Sequence, residues 1–245
     1  MKSLLILLLF STLAFSQTAT EWKKKGDALD AAGKTQQALE AYEKALEKSP
    51  KDPAILVKIA KQYGDMMPAL NGAAKKTAGE KSLEFSRKAV EADQNHSDSH
   101  LAVALSLGKL TEFQGNKEKI KTSREIKERA EKALALNPKS DYAHHMLGRW
   151  HQEMAGIGGA ARLLAKVVYG GIPNGTYWEA LEHFRKARSI NSRRLIHQIE
   201  YGRTLAMMDR GGEAKTEIQK GLNMPNRDAD DEDAKARGRK TLEEI

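Results

Sequence analysis

Cysteine is absent from the 245 residues. Its absence excludes a thiol nucleophile, a disulfide-stapled scaffold, Cys-ligated zinc and iron–sulfur clusters, and also a bacterial lipoprotein, which needs an acceptor Cys. Proline is scarce, at 6 residues, and the 6 Pro and 19 Gly together are too few for a collagen-like or low-complexity chain. No HExxH pair and no nucleophile elbow occurs, so no hydrolase constellation stands out. Charged residues make up 30% and mean hydropathy is -0.61, which excludes an integral multi-span membrane protein. What is present is a chain that is 40% hydrophobic, enough for one large packed domain or two small ones. Its net charge of +8 favours acidic partners such as lipid headgroups, nucleic acid or acidic proteins, and is silent on fold.

The N-terminus reads as a targeting segment. Lys2 supplies a positive start, Leu4 to Phe10 is uninterrupted and apolar, and Ala14-Phe15-Ser16 fits a small-x-small cleavage site. Residues 1–16 are therefore expected to be a secretory signal peptide cleaved after Ser16, leaving 17–245; the alternative is an uncleaved anchor. Export without cysteine suits a bacterial periplasm or exterior, and no transmembrane span is expected in the mature chain.

The rest is periodic. Trp22, Gly26, Leu29, Ala38, Tyr42, Ala45 and Pro50 stand at the spacings of a helix–turn–helix unit with a period of about 34 residues. Gly26 and Ala38 let two helices approach, Trp22, Leu29 and Tyr42 fill the space between units, Gly33 marks the turn and Pro50 stops the second helix. The register continues through Ile59, Ala60, Tyr63, Ser82, Phe85 and Ala89, and again from His100, Val103 and Ala104 to Ala130, Ala133 and Pro138. A fourth unit opens at Leu147-Gly148 and closes with Ala180, Phe184 and Ala187; a fifth reads Tyr201-Gly202, Leu205, Ala214, Ile218, Gly221 and Pro225. The pattern predicts an all-α, right-handed tetratricopeptide (TPR)-like superhelix of about five units over 17–245, with residues 228–245 as a polar capping helix. Units two and three carry about ten extra residues and unit four about twenty against that period. These fall between first and second helices, at Met66–Ala74, Asn116–Thr122 and Gly156–Gly175, with Arg162 to Tyr169 helical in character.

Two stretches go beyond the generic repeat. His145-Met146-Leu147-Gly148-Arg149-Trp150, followed by Tyr169-Gly170-Gly171-Ile172-Pro173 and Glu179 to Ala187, resembles the TPR-like domain of the regulator of microtubule dynamics family, over about residues 80 to 245. The resemblance implies an all-helical interaction domain, membrane-tethered in many eukaryotic members and associated with microtubules, organelle contacts and, in some members, lipid binding. The export signal departs from that pattern and would separate the chain from cytoplasmic microtubules. The chain is also similar, more weakly, to periplasmic TPR components of solute transporters.

In such a superhelix the first helix of each unit lines the concave surface. The inward positions are Lys23 and Asp27, Val57 and Lys61, Leu101 and Leu105, then Tyr142, His145 and Arg149, then Ile196, Ile199, Arg203 and Met207. Lys61, Leu101, Leu105, Tyr142, His145, Arg149, Ile199 and Arg203 form the candidate binding groove, apolar walls with cations set in them. A guanidinium fork suits a carboxylate or phosphate. Alternatively the cations pair internally with Asp27, Asp65 and Glu153. Asp27 stands where a C-terminal-carboxylate clamp needs Asn, so that clamp is not matched.

Other motifs read as structural. His144 and His151 would lie two turns apart, about 10.5 Å, too far to share a metal unaided, and His96 sits in a turn. Gly156 to Ala161 matches GxGxxA but lacks the preceding strand that a dinucleotide site requires. Lys117 to Lys132 alternates with glutamates as a solvated helix face does, with Phe113 the only aromatic near it, so nucleic acid is not expected. The expectation is a non-enzymatic adaptor of the cell envelope, with no catalytic residue, cofactor or metal, that binds a protein or peptide segment in the groove. The alternative is a carrier of a lipid or small anionic ligand, which requires a closed apolar pocket lined by Ile157 to Ile172.

Overall fold

A computed structural model describes residues 17–245; the expected signal peptide, residues 1–16, lies outside them. Helices α1 (Ala19–Ala31) and α2 (Thr35–Lys48) form the first unit, α3 (Pro53–Met66) and α4 (Gly72–Ala92) the second, and α5 (Ser97–Leu110) and α6 (Asn116–Leu136) the third. The fourth comprises α7 (Asp141–Ala155), an inserted α8 (Gly159–Tyr169) and α9 (Tyr177–Ile190). The fifth is α10 (Leu195–Ala206) with α11 (Gly211–Leu222), and α12 (Asp231–Glu244) packs against both. No strand occurs among the described residues.

Local signals place the helix starts. Thr18 and Glu21 form a reciprocal capping box on α1, Asp52 caps α3 with Pro53 in its first turn, and Ser140 and Thr176 cap α7 and α9. The turn after α1 needs a left-handed residue, supplied by Gly33 at φ 70°. Asp209 takes the same role after α10 at φ 59°.

In units one, four and five the two helices meet at a glycine under a large residue. A Cβ on Gly26 would lie 2.5 Å from the Tyr42 ring, and on Gly148 2.8 Å from Phe184; on Gly202 it would lie 2.7 Å from Ile218. Phe184, Tyr42 and Ile218 are fully buried there. The insertion in unit four loops out without disturbing its Gly148–Phe184 pair. Between units, Tyr42, Ile55 and Ile59 join the first two, and Val103, Leu107, Leu147 and Trp150 join the third and fourth. Ile199, Ile218 and Ala234 seat the cap.

The extra residues of units two and three are not loops. They form single 3-10 turns at Met67–Ala69 and Thr111–Phe113 and lengthen α4 and α6 to 21 residues each. Asn116–Thr122, expected as an insertion between helices, is the first turns of α6. These turns are rich in Lys, Glu and Ala, good helix formers, and nothing stops propagation. In unit four the glycines do stop it. Gly156 to Gly158 separates α7 from α8, and Gly170 (φ 74°) and Gly171 (φ 102°) end α8. The GxGxxA match thus lies between two helices.

These contacts set a stability contrast. Gly148→Ala is expected to cost about 1–3 kcal/mol through overpacking against Phe184. Gly212→Ala, where a Cβ meets nothing within 4 Å, is expected to be neutral or to gain up to about 1 kcal/mol. Urea unfolding of both variants checks this; equal effects would refute the close-approach argument.

Candidate functional site

The first helices curve around a cleft of about 410 Å³. Val57, Lys61 and Asp65 of α3 form one wall, Leu101, Leu105 and Lys109 of α5 the next, and Asp141 and Tyr142 of α7 the third. Beneath them a chain of buried hydroxyls holds α3, α4 and α5 together: Ser82 Oγ donates to the Ala60 carbonyl at 2.8 Å, and Ser106 Oγ lies 2.8 Å from Ser82 Oγ and 3.1 Å from Ser86 Oγ. The residues between α11 and α12 return across the cleft. Lys109 Nζ donates to both Asp230 carboxylate oxygens at 3.0 and 3.2 Å, and Arg194 Nη1 donates to Asp228 at 2.7 Å. Arg194 also covers the Tyr142 ring, its guanidinium 4.2 Å from the centroid. The cleft therefore sets the apolar side chains of Val57, Leu101, Leu105 and Tyr142 among ion-paired cations and carboxylates.

Cations near the N-terminal end are engaged in a ladder. Lys23 and Lys58 lie 2.9 and 3.0 Å from Asp27, and Lys61 bridges Asp30 at 2.8 Å and Asp65 at 2.6 Å. Asp27 also accepts from the Tyr42 hydroxyl at 2.9 Å. Burial raises the Asp65 pKa from its ordinary value, although Lys61 opposes the shift.

Of the eight groove residues expected from the sequence, Lys61, Leu101, Leu105 and Tyr142 line the cleft. The other four do not. Ile199 and His145 are buried, and Arg149 and Arg203 point to Glu200, a fully buried carboxylate. Arg149 Nη1 lies 3.1 Å from Glu200 Oε2, Arg203 Nη1 2.6 Å from the same oxygen, and Arg237 of α12 3.0 Å from Oε1. Burial alone would raise the Glu200 pKa; the charges of Arg149, Arg203 and Arg237 overcome it and hold the pKa well below the usual carboxylate range. Arg149 also reaches Glu153 at 2.8 Å. Ion pairing, the alternative to a ligand for these cations, holds for Arg149 and Arg203, with Glu200 rather than Asp27, Asp65 or Glu153 as the main anion.

A second polar chain runs beside it. His145 Nδ1 lies 3.0 Å from His197 Nδ1, and His197 Nε2 3.2 Å from Asp141 Oδ2, which Arg194 Nε approaches at 3.0 Å. Burial works against Asp141 ionising, yet the His197 hydrogen bond and the Arg194 charge bring its pKa to about 2. The histidine cluster seen in the sequence is divided. His145 belongs to this chain, while His144 meets His183 of α9 with Nδ1 atoms 3.1 Å apart, and His151 stacks on His183 and approaches Glu179 at 3.2 Å. Burial and the charges of His144 and His151 push the His183 pKa down to about 4. No group of three or more His, Asp or Glu poised to hold a metal occurs among the described residues. His96 heads α5 and bonds Ser99 Oγ at 2.8 Å.

Paired helices at a fixed small-over-large contact, stacked around a concave face, define a TPR-like helical-repeat protein. The fold matches a thermophilic TPR protein of Thermus thermophilus with a TM-score of 0.65 and 17% identity, covering 91% of this chain and 98% of that one. It also matches pilF of Pseudomonas aeruginosa at 0.56 and 16%, covering 92% and 90%. The profile of the regulator of microtubule dynamics protein 1-3 family matches residues 22–245, and the chain belongs to that family. Regulator of microtubule dynamics protein 1 of mouse is 30% identical over 146 residues, covering 59% of this chain and 48% of the mouse protein. Protein 3 of Xenopus laevis is 29% identical over 171 residues, covering 68% and 37%. The chain thus spans about half or less of the length of the curated relatives it matches.

Two outcomes follow from the polar core. Glu200→Gln leaves three guanidinium groups around a neutral amide and is expected to cost about 3–5 kcal/mol in urea unfolding; a loss under about 1 kcal/mol would contradict the geometry. His144, His145, His151 and His183 all have lowered pKa values, chiefly through burial. The unfolded chain therefore takes up protons, near the ordinary value of 6.5, that the folded chain refuses. Their stabilisation is complete above about 6.5 and declines as pH falls, for His183 through about 4. Glu200 and Asp141 lose theirs only below the ordinary carboxylate range, about 4. Thermal midpoints across the upper window should fall less steeply in His183→Gln than in the parent; parallel slopes would contradict the assignment.

Proposed function

We propose that the protein is a non-enzymatic TPR adaptor of the cell envelope that holds a segment of a partner protein in the cleft between α3, α5 and α7. The observation that carries the reading is the cleft itself. It is open to solvent, lined by first helices, and presents Leu101, Leu105 and Tyr142 beside Lys61, Lys109 and Arg194. An apolar wall with cations and carboxylates at its rim suits a peptide carrying a hydrophobic anchor and charges of both signs. The names of the mouse and frog relatives connect them with microtubule dynamics. For this chain the apolar leader-like residues 1–16 support a partner on the exported side of a membrane.

Carriage of a lipid finds less support. The cleft has no lining residue from Ile157 to Ile172. Ile157 and Ile172 pack instead against the core shared by units three and four.

Photo-crosslinking in cells tests the adaptor. A photoreactive residue in place of Leu105 is expected to capture a discrete protein in the envelope fraction. The same probe on the outer surface at Lys132 should not capture it. Adding Lys61→Glu to the Leu105 probe should reduce capture roughly tenfold, the equivalent of about 1.4 kcal/mol. Capture that is equal at both positions, or confined to the cytoplasmic fraction, overturns the reading.

A further inference from the structure

Helix α8 presents its apolar side to water. Leu163, Leu164, Val167 and Val168 stand at i, i+1, i+4 and i+5 and so share one face of the helix. They are 67%, 65%, 80% and 54% exposed. Only Ala165 of this helix is buried. Arg162 ties α8 down from the other side, donating to the carbonyls of Ile157 (3.1 Å), Pro173 (3.3 Å) and Met154. The helix is thus held by its polar side with its apolar side outward, the reverse of a helix that stabilises its own domain. A contiguous exposed patch of this kind marks an interaction site.

The surrounding charge is predominantly positive. Between Glu153 and Glu179 the sequence contains no Asp or Glu, but it does contain Arg162 and Lys166. Arg124 Nη2 donates to the Gly171 carbonyl at 2.9 Å, which brings the start of α6 to the base of α8. That start carries Lys117, Lys119, Lys121 and Arg124 against Glu118 alone. None of these four cations, nor Lys166, forms an ion pair among the described residues, although 27 such pairs occur elsewhere. Exposed Tyr169 ends α8, and Trp178, 67% exposed, follows the connecting loop. An exposed apolar stripe with Tyr169 at its end, unpaired cations nearby and an exposed Trp178 at the start of the next helix are the properties of a helix lying in a membrane interface. A symmetric pair of chains meeting at α8 would instead set like charges against each other.

We propose that α8 is a membrane-docking helix that inserts Leu163, Leu164, Val167 and Val168 into the surface of a bilayer containing anionic lipid, with the cations of α6 and Lys166 over the headgroups. This surface is distinct from the cleft and does not depend on it.

Because the chain has no native cysteine, Val167→Cys carries an environment-sensitive fluorophore at one defined and solvent-exposed position, and Lys215→Cys on α11 provides a control. The full chain is mixed with vesicles of equimolar phosphatidylglycerol and phosphatidylcholine, or of phosphatidylcholine alone. The expected result is a blue shift at Val167→Cys with the anionic vesicles, quenched by lipid-borne quenchers, and no shift at Lys215→Cys. Lys121→Ala and Lys166→Ala should each weaken the transition about fivefold, the equivalent of about 1 kcal/mol per surface cation. Attachment of the chain through residues 1–16 alone would leave the Val167→Cys probe unshifted, which overturns the proposal. A blue shift that grows with protein concentration in the absence of vesicles also overturns it, in favour of a contact between chains.

Discussion

The C-terminal half of this solenoid depends on one buried carboxylate. Glu200 has no access to water, and a charge in that position is sustained only because three guanidinium groups surround it. Those groups come from α7, α10 and α12, so satisfying one anion fixes the relative positions of unit four, unit five and the cap. The His145–His197–Asp141–Arg194 chain continues the same join toward the cleft. The first three units have no fully buried charge of this kind; apolar contacts, a short run of serine hydroxyls and partly exposed ion pairs such as Lys58–Asp27 and Lys61–Asp30 join them. Repeat proteins are sums of nearest-neighbour interfaces, and here those interfaces are of two chemical kinds.

The repeat was legible because close approach of two helices tolerates few residue types. Gly26, Gly148 and Gly202, each opposite a large side chain, mark the units wherever they occur, and the extra residues of unit four leave the mark intact. Half of the groove was legible for the same reason, since position in a unit dictates which way Lys61, Leu101, Leu105 and Tyr142 point. The other half was not. Arg149 and Arg203 have the right register for the concave face, but their direction is decided by Glu200 and by Arg237, which arrives from a helix outside the repeat. A glutamate in a helix ordinarily reads as solvated, so nothing in the local pattern singles Glu200 out. His183 escaped notice because it reaches His144 and His151 only after the chain has made its detour through α8. The lengths of α4 and α6 were missed because a period indicates how many residues are extra, and only propensity indicates whether they coil.

The molecule consequently has two faces of different origin. The cleft belongs to the repeat, since first helices produce it wherever units stack. Helix α8 belongs to an insertion bounded by glycines, fastened through Arg162 and Ala165, with its outer side free of packing. Changes on its outer side would leave the unit beneath undisturbed, because Gly148 and Phe184 meet without it.

The segment between α11 and α12 has a mechanical meaning. A stack of helix pairs behaves as a spring, its pitch set by small rotations at each interface. The Lys109–Asp230 bridge is a chord drawn across that arc, joining the third unit to the entry of the cap. With the chord in place the arc is braced at that point, while the cleft beneath stays open to solvent. Both partners of the bridge are partly exposed, so added electrolyte weakens it. The stiffness of this arc is therefore a property of the surrounding solution as much as of the protein.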